Sequence, residues 1–241
     1  GRVELTAFLG MGILNSALPF CLISFGQSRI DSGLASIINA TTPIFTMILA
    51  HLFTADEKIG PRKAMGVVLG FLGVVVLFSG RDLLGSSALV GQLACLVAAL
   101  SYGFSNIFGR RFSRFSIEPI VMATGQLTMS ALIMVPFAMI ADRPWGLALP
   151  GLPSILALSA LALFSTAGAY ILFFRILSRA GATNASLVTL LVPCSAILLG
   201  GAFLGERLGM REIGGFFTIA TGLLLIDGRL LARFFRQGAG K

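Results

Sequence analysis

The sequence predicts an all-α polytopic membrane protein with eight transmembrane helices. Of its 241 residues 56% are hydrophobic and 12% are charged, and the mean hydropathy is +0.93, which leaves too little polar surface for a soluble domain of this length. Apolar runs of roughly 17 to 25 residues recur, as a ~30 Å hydrocarbon core requires of a helix. They lack the polar–apolar alternation of barrel strands. The predicted spans are 5–27, 34–53, 63–80, 88–108, 118–140, 153–177, 184–204 and 213–231.

One stretch of the chain occurs twice. The first copy, 28–53, returns as a second copy at 178–203 with an offset of 150 residues. The matches include Ser28/Ser178, Arg29/Arg179, Ala35/Ala185, Ser36/Ser186, Pro43/Pro193, Leu49/Leu199 and Phe53/Phe203. With one residue dropped, the similarity continues at an offset of 149, as in Glu57/Glu206 and Gly66/Gly215. We interpret this pattern as an internal duplication.

The displacement between the copies predicts how the repeat lies in the membrane. Four predicted spans separate the repeated helices, so the second copy is displaced by five helices. An odd displacement inverts the second copy, which is typical of many transporters. Five helices per repeat would make ten, and we therefore expect two helices upstream of this chain's first span. The predicted domains are a partial first repeat of three helices, 1–82, and a second repeat of five helices with a basic tail, 83–241.

The positive charges predict the orientation. Of the 18 Lys and Arg residues, 13 fall on one side of the predicted spans. The positive-inside rule places that side, with the carboxyl terminus, in the cytoplasm. The net charge of +8 lies at helix ends, where anionic lipid headgroups are the expected partners. Nucleic acid is not an expected partner, because the basic residues do not cluster on a soluble surface.

The sequence offers no constellation for metal, cofactor or enzyme chemistry. It has one histidine, His51, and three isolated cysteines, Cys21, Cys95 and Cys194, without a C-x-x-C pair. His51 is predicted in the last turn of a helix, where an interfacial side chain and a proton-handling role both remain open. No carboxylate is predicted at mid-depth, so the chain shows no buried proton relay.

Neutral polar residues inside the spans are the candidate site. Ser36, Asn39, Thr42 and Thr46 share one helical face by their spacing. The predicted solute contacts are Asn15, Ser36, Asn39, Thr42, Tyr102, Asn106, Thr166, Tyr170 and Thr189. The alternative for each residue is a helix–helix hydrogen bond, worth ~0.6 kcal/mol in membranes. Groups without fixed charge suit a neutral or zwitterionic solute better than a strong ion.

Prolines and glycines predict hinges and close helix contacts. Pro43 and Pro193 correspond under the repeat and are predicted in mid-helix as hinges, where each frees backbone carbonyls near the membrane midplane. The alternative is a kink without function. Close helix packing is predicted at Gly66, Gly70, Gly73, Gly214, Gly215 and Gly222.

Two segments carry a family resemblance. Both segments resemble the EamA family of the drug/metabolite transporter superfamily. The first is LPFCLISFGQSRIDSGLASIINATTPIFTMILAHLFTADEKIG, which is followed by a Gly-rich helix ending GVVVLFSG. The second is AYILFFRILSRAGATNASLVTLLVPCSAILLGGAFLGERLG. The resemblance covers essentially the whole chain and is specific at the Ala-Ser pair, the mid-helix proline and the acidic turn that follows. It implies two inverted five-helix repeats that move small metabolites, often outward, across the inner membrane.

Together these observations predict a function. We expect an inner-membrane exporter that moves a small neutral or zwitterionic metabolite, such as an amino acid or a drug-like compound, by alternating access. One alternative is a non-transporting membrane scaffold or accessory subunit. A membrane-embedded enzyme is the other, and the lack of a His, Asp, Glu or Cys cluster at depth counts against it.

Overall fold

The computed structural model describes residues 2–55, 58–79, 87–109, 118–146, 149–169, 172 and 188–227. Across these ranges the chain forms helices and connections and no strand. The α-helices are α1 (Arg2–Gly12), α2 (Leu18–Gln27), α3 (Ser32–Asn39), α4 (Thr42–Phe53), α5 (Pro61–Leu77), α6 (Ser87–Gly109), α7 (Pro119–Ala141), α8 (Leu152–Ala160), α9 (Val188–Leu199) and α10 (Met210–Asp227). Three π-helical stretches continue them: π1 (Ile13–Ala17), π2 (Leu161–Gly168) and π3 (Gly200–Leu204). A short 3₁₀ turn spans Pro144–Gly146.

The helices confirm the predicted fold class, an all-helical membrane protein. Four are long and apolar enough to cross a bilayer: Leu5–Gln27, Ser32–Phe53, Ser87–Gly109 and Ile120–Ala141. Two further apolar helices, Leu152–Gly168 and Val192–Leu204, are shorter. Helices α5 and α10 lie at the remaining two predicted spans. The total of eight spans and the inverted repeat stay predictions.

Prolines mark where several helices begin. Four helices have a proline in their first turn: α4 has Pro43, α5 has Pro61, α7 has Pro119 and α8 has Pro153. A proline suits that position because its missing N–H would have no partner inside the helix, and its fixed φ already matches the helical value. Pro136 and Pro193 lie inside α7 and α9 instead.

The chain forms two compact units, each with its own packing. The first contains 1–17 and 109–188, and the second contains 18–108 and 189–241. These units group segments from both predicted repeats, so they are a different division from the repeats. The prediction of two repeats, 1–82 and 83–241, remains open.

The core of the second unit lies among α3, α4, α5, α6 and α10. Its fully buried side chains include Ile37, Ile44, Leu77 and Ile219. Helices α5 and α10 approach so closely that a Cβ at Gly66 would lie 2.6 Å from the Gly222 carbonyl oxygen. At the other end of the same seam, a Cβ at Gly73 would lie 2.9 Å from the Gly215 carbonyl oxygen. Gly70 faces Ile44 of α4, and none of the described residues has an atom within 4 Å of a Cβ at Gly214. Five of the six predicted packing glycines therefore serve close contacts.

In the first unit, α1 and π1 pack against α7. A Cβ at Gly12 would lie 2.9 Å from the Gln126 carbonyl oxygen, and one at Gly125 would lie 2.6 Å from the Phe8 ring. Every side chain from 152 to 165 is exposed, although most of them are apolar. Such a surface suits lipid rather than water.

Candidate functional site

The span Ser32–Phe53 is broken in its middle. Helix α3 ends at Asn39, Ala40 and Thr41 form a turn, and α4 begins at Thr42. The backbone tightens there, since the Thr41 N–H donates to the Ile38 carbonyl at 3.0 Å, three residues back rather than four. Pro43 therefore lies in the first turn of α4 and not inside a continuous helix. The predicted mid-helix position of Pro43 is corrected to a helix start.

Hydroxyl groups satisfy the carbonyls at this break. The Asn39 carbonyl, which Pro43 cannot reach with an N–H, accepts the Thr42 hydroxyl at 2.7 Å. The Ile38 carbonyl accepts the buried Thr41 hydroxyl at 2.6 Å. The sequence predicts freed carbonyls at this depth. Instead the threonine oxygens cover them and keep lone pairs that can accept a further hydrogen bond.

Helix α6 adds an amide to the same face. The Asn106 side-chain amide donates to the Thr46 hydroxyl at 3.0 Å, and that hydroxyl donates to the Thr42 carbonyl at 2.9 Å. The two helices come this close because Gly103 lacks a side chain: a Cβ there would lie 3.0 Å from the Phe45 Cβ. Asn39, Thr42, Thr46 and Asn106 are called the break cluster below.

One acceptor in the break cluster is left without a protein partner. Asn39 Oδ1 is buried and accepts no hydrogen bond from the described residues. A buried, unpaired amide oxygen costs roughly 1–3 kcal/mol, so such groups call for a partner or a function. Ser36, one turn earlier on α3, donates to the Gly33 carbonyl at 2.7 Å. Tyr102, one turn before Asn106 on α6, is half-buried.

The first unit holds a separate amide pair. Asn15 of π1 donates to Gln126 Oε1 of α7 at 3.2 Å, and Gln126 is only 2% exposed. Beside Asn15, Ser16 is fully buried, and its hydroxyl has no partner among the described residues. Gln126 is not among the solute contacts predicted from the sequence. The sequence feature that could have marked Gln126 is an uncharged amide inside a long apolar span, because such a placement is costly in a membrane.

Two π-helical stretches fall at matching places in the chain. Shifting π1, Ile13–Ala17, by the repeat offset of 150 places it on 163–167, inside π2. Thr166 of π2 donates its hydroxyl to the Leu161 carbonyl at 3.2 Å, five residues back, which is the π-helical spacing. Single π turns are frequent at functional sites. The predicted contacts Asn15 and Thr166 thus lie on corresponding irregular turns of their helices.

The remaining predicted residues belong to the second copy. Pro193 is buried inside the continuous helix α9, as predicted for a mid-helix proline. The backbone of Thr189 lies in α9, while its side chain is outside the described part of the structure. Tyr170 also lies outside the described residues.

His51 has a structural task in the second unit. Its Nδ1 accepts the Ile59 backbone N–H at 3.2 Å, and its carbonyl accepts the Lys58 ammonium group at 2.9 Å. Both contacts fix the connection between α4 and α5. This geometry supports the interfacial interpretation of His51 over the proton-handling one. Within the described ranges, no group of three or more His, Cys, Asp or Glu could hold a metal ion.

The comparisons with known proteins identify the family. The model of the EamA-like transporter family matches residues 2–79 and 89–227. The chain belongs to the EamA-like transporter family. The resemblance noted from the sequence is therefore confirmed, and the family description is that of a transporter rather than an enzyme.

Several relatives of this EamA-like chain are named as transporters or efflux pumps. The uncharacterized transporter YoaV of Bacillus subtilis is 30% identical over 231 residues, 93% of this chain and 76% of its own length. A probable amino-acid metabolite efflux pump of Escherichia coli is 31% identical over 238 residues, 93% of this chain and 77% of its own. The uncharacterized inner membrane transporter YedA of Escherichia coli is 31% identical over 222 residues, 90% of this chain and 69% of its own.

One protein of known crystal structure shares the fold. It aligns over 98% of this EamA-like chain and 78% of its own, with a TM-score of 0.60 and 19% sequence identity. That similarity supports the helical architecture and nothing about the solute.

A carboxylate binds the end of α3 that lies away from the break cluster. Glu206 lies in the connection between π3 and α10, and it accepts the Ser32 N–H and the Ser32 hydroxyl, both at 2.9 Å. It also accepts the Gly33 N–H at 3.1 Å. Burial raises the pKa of Glu206, but these three hydrogen bonds outweigh it and leave the pKa below its ordinary value. The sequence singles out Glu206 only as the repeat counterpart of Glu57, and this contact could not be predicted from it.

Proposed function

We propose that this chain is an inner-membrane transporter that exports a small neutral or zwitterionic organic solute by alternating access. The observation that carries the proposal is the break cluster, where an interrupted membrane helix places uncharged polar groups inside an apolar span. Its Asn39 Oδ1 is buried and unpartnered among the described residues. A solute N–H or ammonium group would supply the missing donor.

The chemistry of the break cluster favours a solute without net charge. Neither Ser32–Phe53 nor Ser87–Gly109 contains Asp, Glu, Lys or Arg. At the break, the carbonyl end of α3 meets the amide end of α4. Interrupted transporter helices use such ends to bind the opposite charges of a solute. This arrangement supports a zwitterion such as an amino acid, whose two charges cancel.

The relatives support transport and its direction. The relatives in Escherichia coli and Salmonella typhimurium that are 31% and 30% identical carry the name of a probable amino-acid metabolite efflux pump. Pro43 at the start of α4 supports a hinge that lets α3 and α4 tilt separately as access alternates. The positive-inside bias supports a cytoplasmic carboxyl terminus.

Uptake into inverted membrane vesicles tests the proposal. Vesicles that contain the chain are offered a panel of radiolabelled amino acids and uncharged drug-like compounds. We expect at least one solute to accumulate above the level in vesicles without the chain. Asn39→Ala should reduce that accumulation roughly tenfold at equal protein level, since it removes the unpaired acceptor.

A matched hydroxyl variant separates binding from stability. Thr42→Val should also reduce uptake, whereas Thr221→Val should not. Thr221 of α10 also donates its hydroxyl to a backbone carbonyl, that of Phe217 at 2.8 Å, but it is exposed and far along the chain from the break. Normal expression without accumulation of any solute would instead favour a non-transporting scaffold.

A further inference from the structure

The amino-terminal end of α3 is capped from a distant part of the chain. Its own N-cap residue, Asp31, makes no side-chain cap hydrogen bond. Glu206 takes that place and accepts hydrogen bonds from Ser32 and Gly33, more than 170 residues away in sequence. A carboxylate at a helix start satisfies orphan N–H groups and complements the positive end of the helix dipole. Charge-assisted bonds of this kind are about twice as strong as neutral ones.

The turn that contains Glu206 orients its carboxylate toward α3. Gly205 adopts a left-handed φ of 68°, a conformation that glycine adopts without strain. The Glu206 N–H then donates to the Gly200 carbonyl at 3.1 Å, which folds the connection back over the end of π3. A Cβ at Gly200 would overlap the Glu206 carboxylate. Both glycines are therefore needed for the carboxylate to reach α3.

Apolar contacts complete this end of α3. A Cβ at Gly33 would lie 3.4 Å from Leu208 Cδ2 and 3.5 Å from Ile197 Cγ1. The absence of a side chain at Gly33 lets α3 lie directly against the connection that follows α9. The carboxylate thus closes a contact that is otherwise van der Waals packing.

We propose that Glu206 is a latch: it holds the amino-terminal end of α3 against the connection between α9 and α10, and its release opens the solute path on that side. This inference rests on the proposed function for the meaning of opening. The other end of α3 is the turn Ala40–Thr41, so α3 is a short segment with a bend at one end and the latch at the other. A tilt about the bend moves the latched end most.

The charges around the latch make it releasable. Asp31 and Glu212 are the acidic neighbours, and burial, followed by the charges of Glu206 and Glu212, raises the pKa of Asp31. Repulsion among these carboxylates opposes the closed state. Glu212 is itself paired with Arg211 at 2.7 Å, and the Arg29 guanidinium stacks on the Phe25 ring 3.6 Å away. The latch therefore combines three hydrogen bonds with a repulsion that is relieved on release.

Thiol labelling of the purified full chain in detergent tests the latch without any solute. Leu208→Cys is introduced after Cys21, Cys95 and Cys194 are replaced by alanine. We expect Glu206→Gln to raise the rate of maleimide labelling at position 208 roughly tenfold, because the closed state loses charge-assisted bonds. Gly200→Ala should raise it as well, because its Cβ displaces the carboxylate.

Two control variants match these changes. Glu118 is an exposed carboxylate at the N-cap of α7 that makes no cap hydrogen bond, so Glu118→Gln should leave the rate unchanged. Gly201 stands beside Gly200. Among the described residues, a Cβ at Gly201 would meet only the Glu206 carbonyl oxygen, at an ordinary contact distance of 3.6 Å, so Gly201→Ala should also be neutral. Unchanged labelling in both Glu206→Gln and Gly200→Ala would overturn the latch.

A reversible cross-link tests whether release is needed for transport. The double variant Ser32→Cys with Glu206→Cys is joined by a short bis-thiosulfonate reagent in inverted vesicles. We expect the cross-linked chain to lose transport and dithiothreitol to restore it. Undiminished transport while cross-linked would overturn the latch and leave the proposed function standing. If the unmodified chain transports no solute, the proposed function fails, and the labelling rates alone decide whether the latch exists.

Discussion

The two copies of the repeated segment treat the same proline differently. In the first copy the helix breaks at Ala40–Thr41, and Pro43 begins a new helix. In the second copy α9 runs without interruption through 190 and 191, the equivalent positions, and Pro193 lies inside it. A proline alone therefore does not decide whether a membrane helix breaks.

The residues next to each proline explain the difference. Thr41 and Thr42 supply hydroxyls that occupy the Ile38 and Asn39 carbonyls, so the break costs little. Their counterparts in the second copy are Leu191 and Val192, which have no hydroxyl. Without local donors, unpaired carbonyls at that depth would cost several kcal/mol each, and the continuous helix is the better solution.

Removing both hydroxyls should have the largest effect. The double variant Thr41→Val with Thr42→Val leaves the Asn39 carbonyl without its hydroxyl donor and the Ile38 carbonyl with only the Thr41 N–H. It should destabilise the chain by about 2–4 kcal/mol. Loss of helical circular dichroism against added denaturing detergent measures this. The control is Thr218→Val with Thr221→Val, which removes two hydroxyls from an uninterrupted helix, α10. Equal destabilisation by the two pairs would show that the break does not depend on its threonines.

Exchanging the prolines should have the next largest effect. Pro43→Ala supplies an N–H that lets α3 and α4 merge, so the turnover rate should fall roughly fivefold with little change in apparent KM. Pro193→Ala restores a missing bond in a helix that is already continuous and should change turnover less. Initial rates of vesicle uptake over a range of solute concentrations separate the two constants. A larger effect at Pro193 would reverse the assignment of the moving helix.

Widening the contact between α4 and α6 should have a moderate effect. Gly103→Val places atoms where the Phe45 Cβ and the Thr46 N–H already lie 3.0 and 3.1 Å from the Cβ position. It should separate Asn106 from Thr46 and raise the apparent KM a few fold. Gly214→Val is the control, because no atom in the described part of the chain lies within 4 Å of that Cβ position. Similar KM values for the two variants would remove Asn106 from the candidate site.

The smallest effect should come from pH, and it tests the other end of α3. The pKa of Glu206 is lowered in the folded chain, so its contribution to stability is present above its unfolded pKa and is lost as pH falls through the folded pKa. Labelling of Leu208→Cys, normalised to the intrinsic reactivity of an exposed cysteine, should therefore rise only under acidic conditions. Glu206→Gln should be insensitive over the same range. A normalised rise at alkaline pH would contradict this account.

The sequence predicted the parts of the molecule that composition and periodicity control. The all-helical class followed from apolar runs of spanning length, and the packing at Gly66, Gly73, Gly215 and Gly222 followed from small residues at helical spacing. Both depend on local sequence, so they can be read without knowing which helices are neighbours.

Contacts between distant segments could not be predicted in this way. Gln126 meets Asn15 and Glu206 meets Ser32 across more than 100 residues, and each looked like an ordinary polar residue in a span or a connection. The position of Pro43 was mistaken for a different reason. A proline in mid-span suggests a kink, and only the Thr41 and Thr42 hydrogen bonds show that the helix restarts there.

The glycine seam between α5 and α10 limits which parts of the second unit can move. The two close contacts of this seam are Gly66 with Gly222 and Gly73 with Gly215, and they are seven residues apart on both helices. The backbones of α5 and α10 therefore touch at two points along one line. Sliding or rolling would drive the neighbouring side chains into those backbones. This packing favours a fixed pair of helices, and we expect any movement within the second unit to involve the α3–α4 segment rather than the contact between α5 and α10.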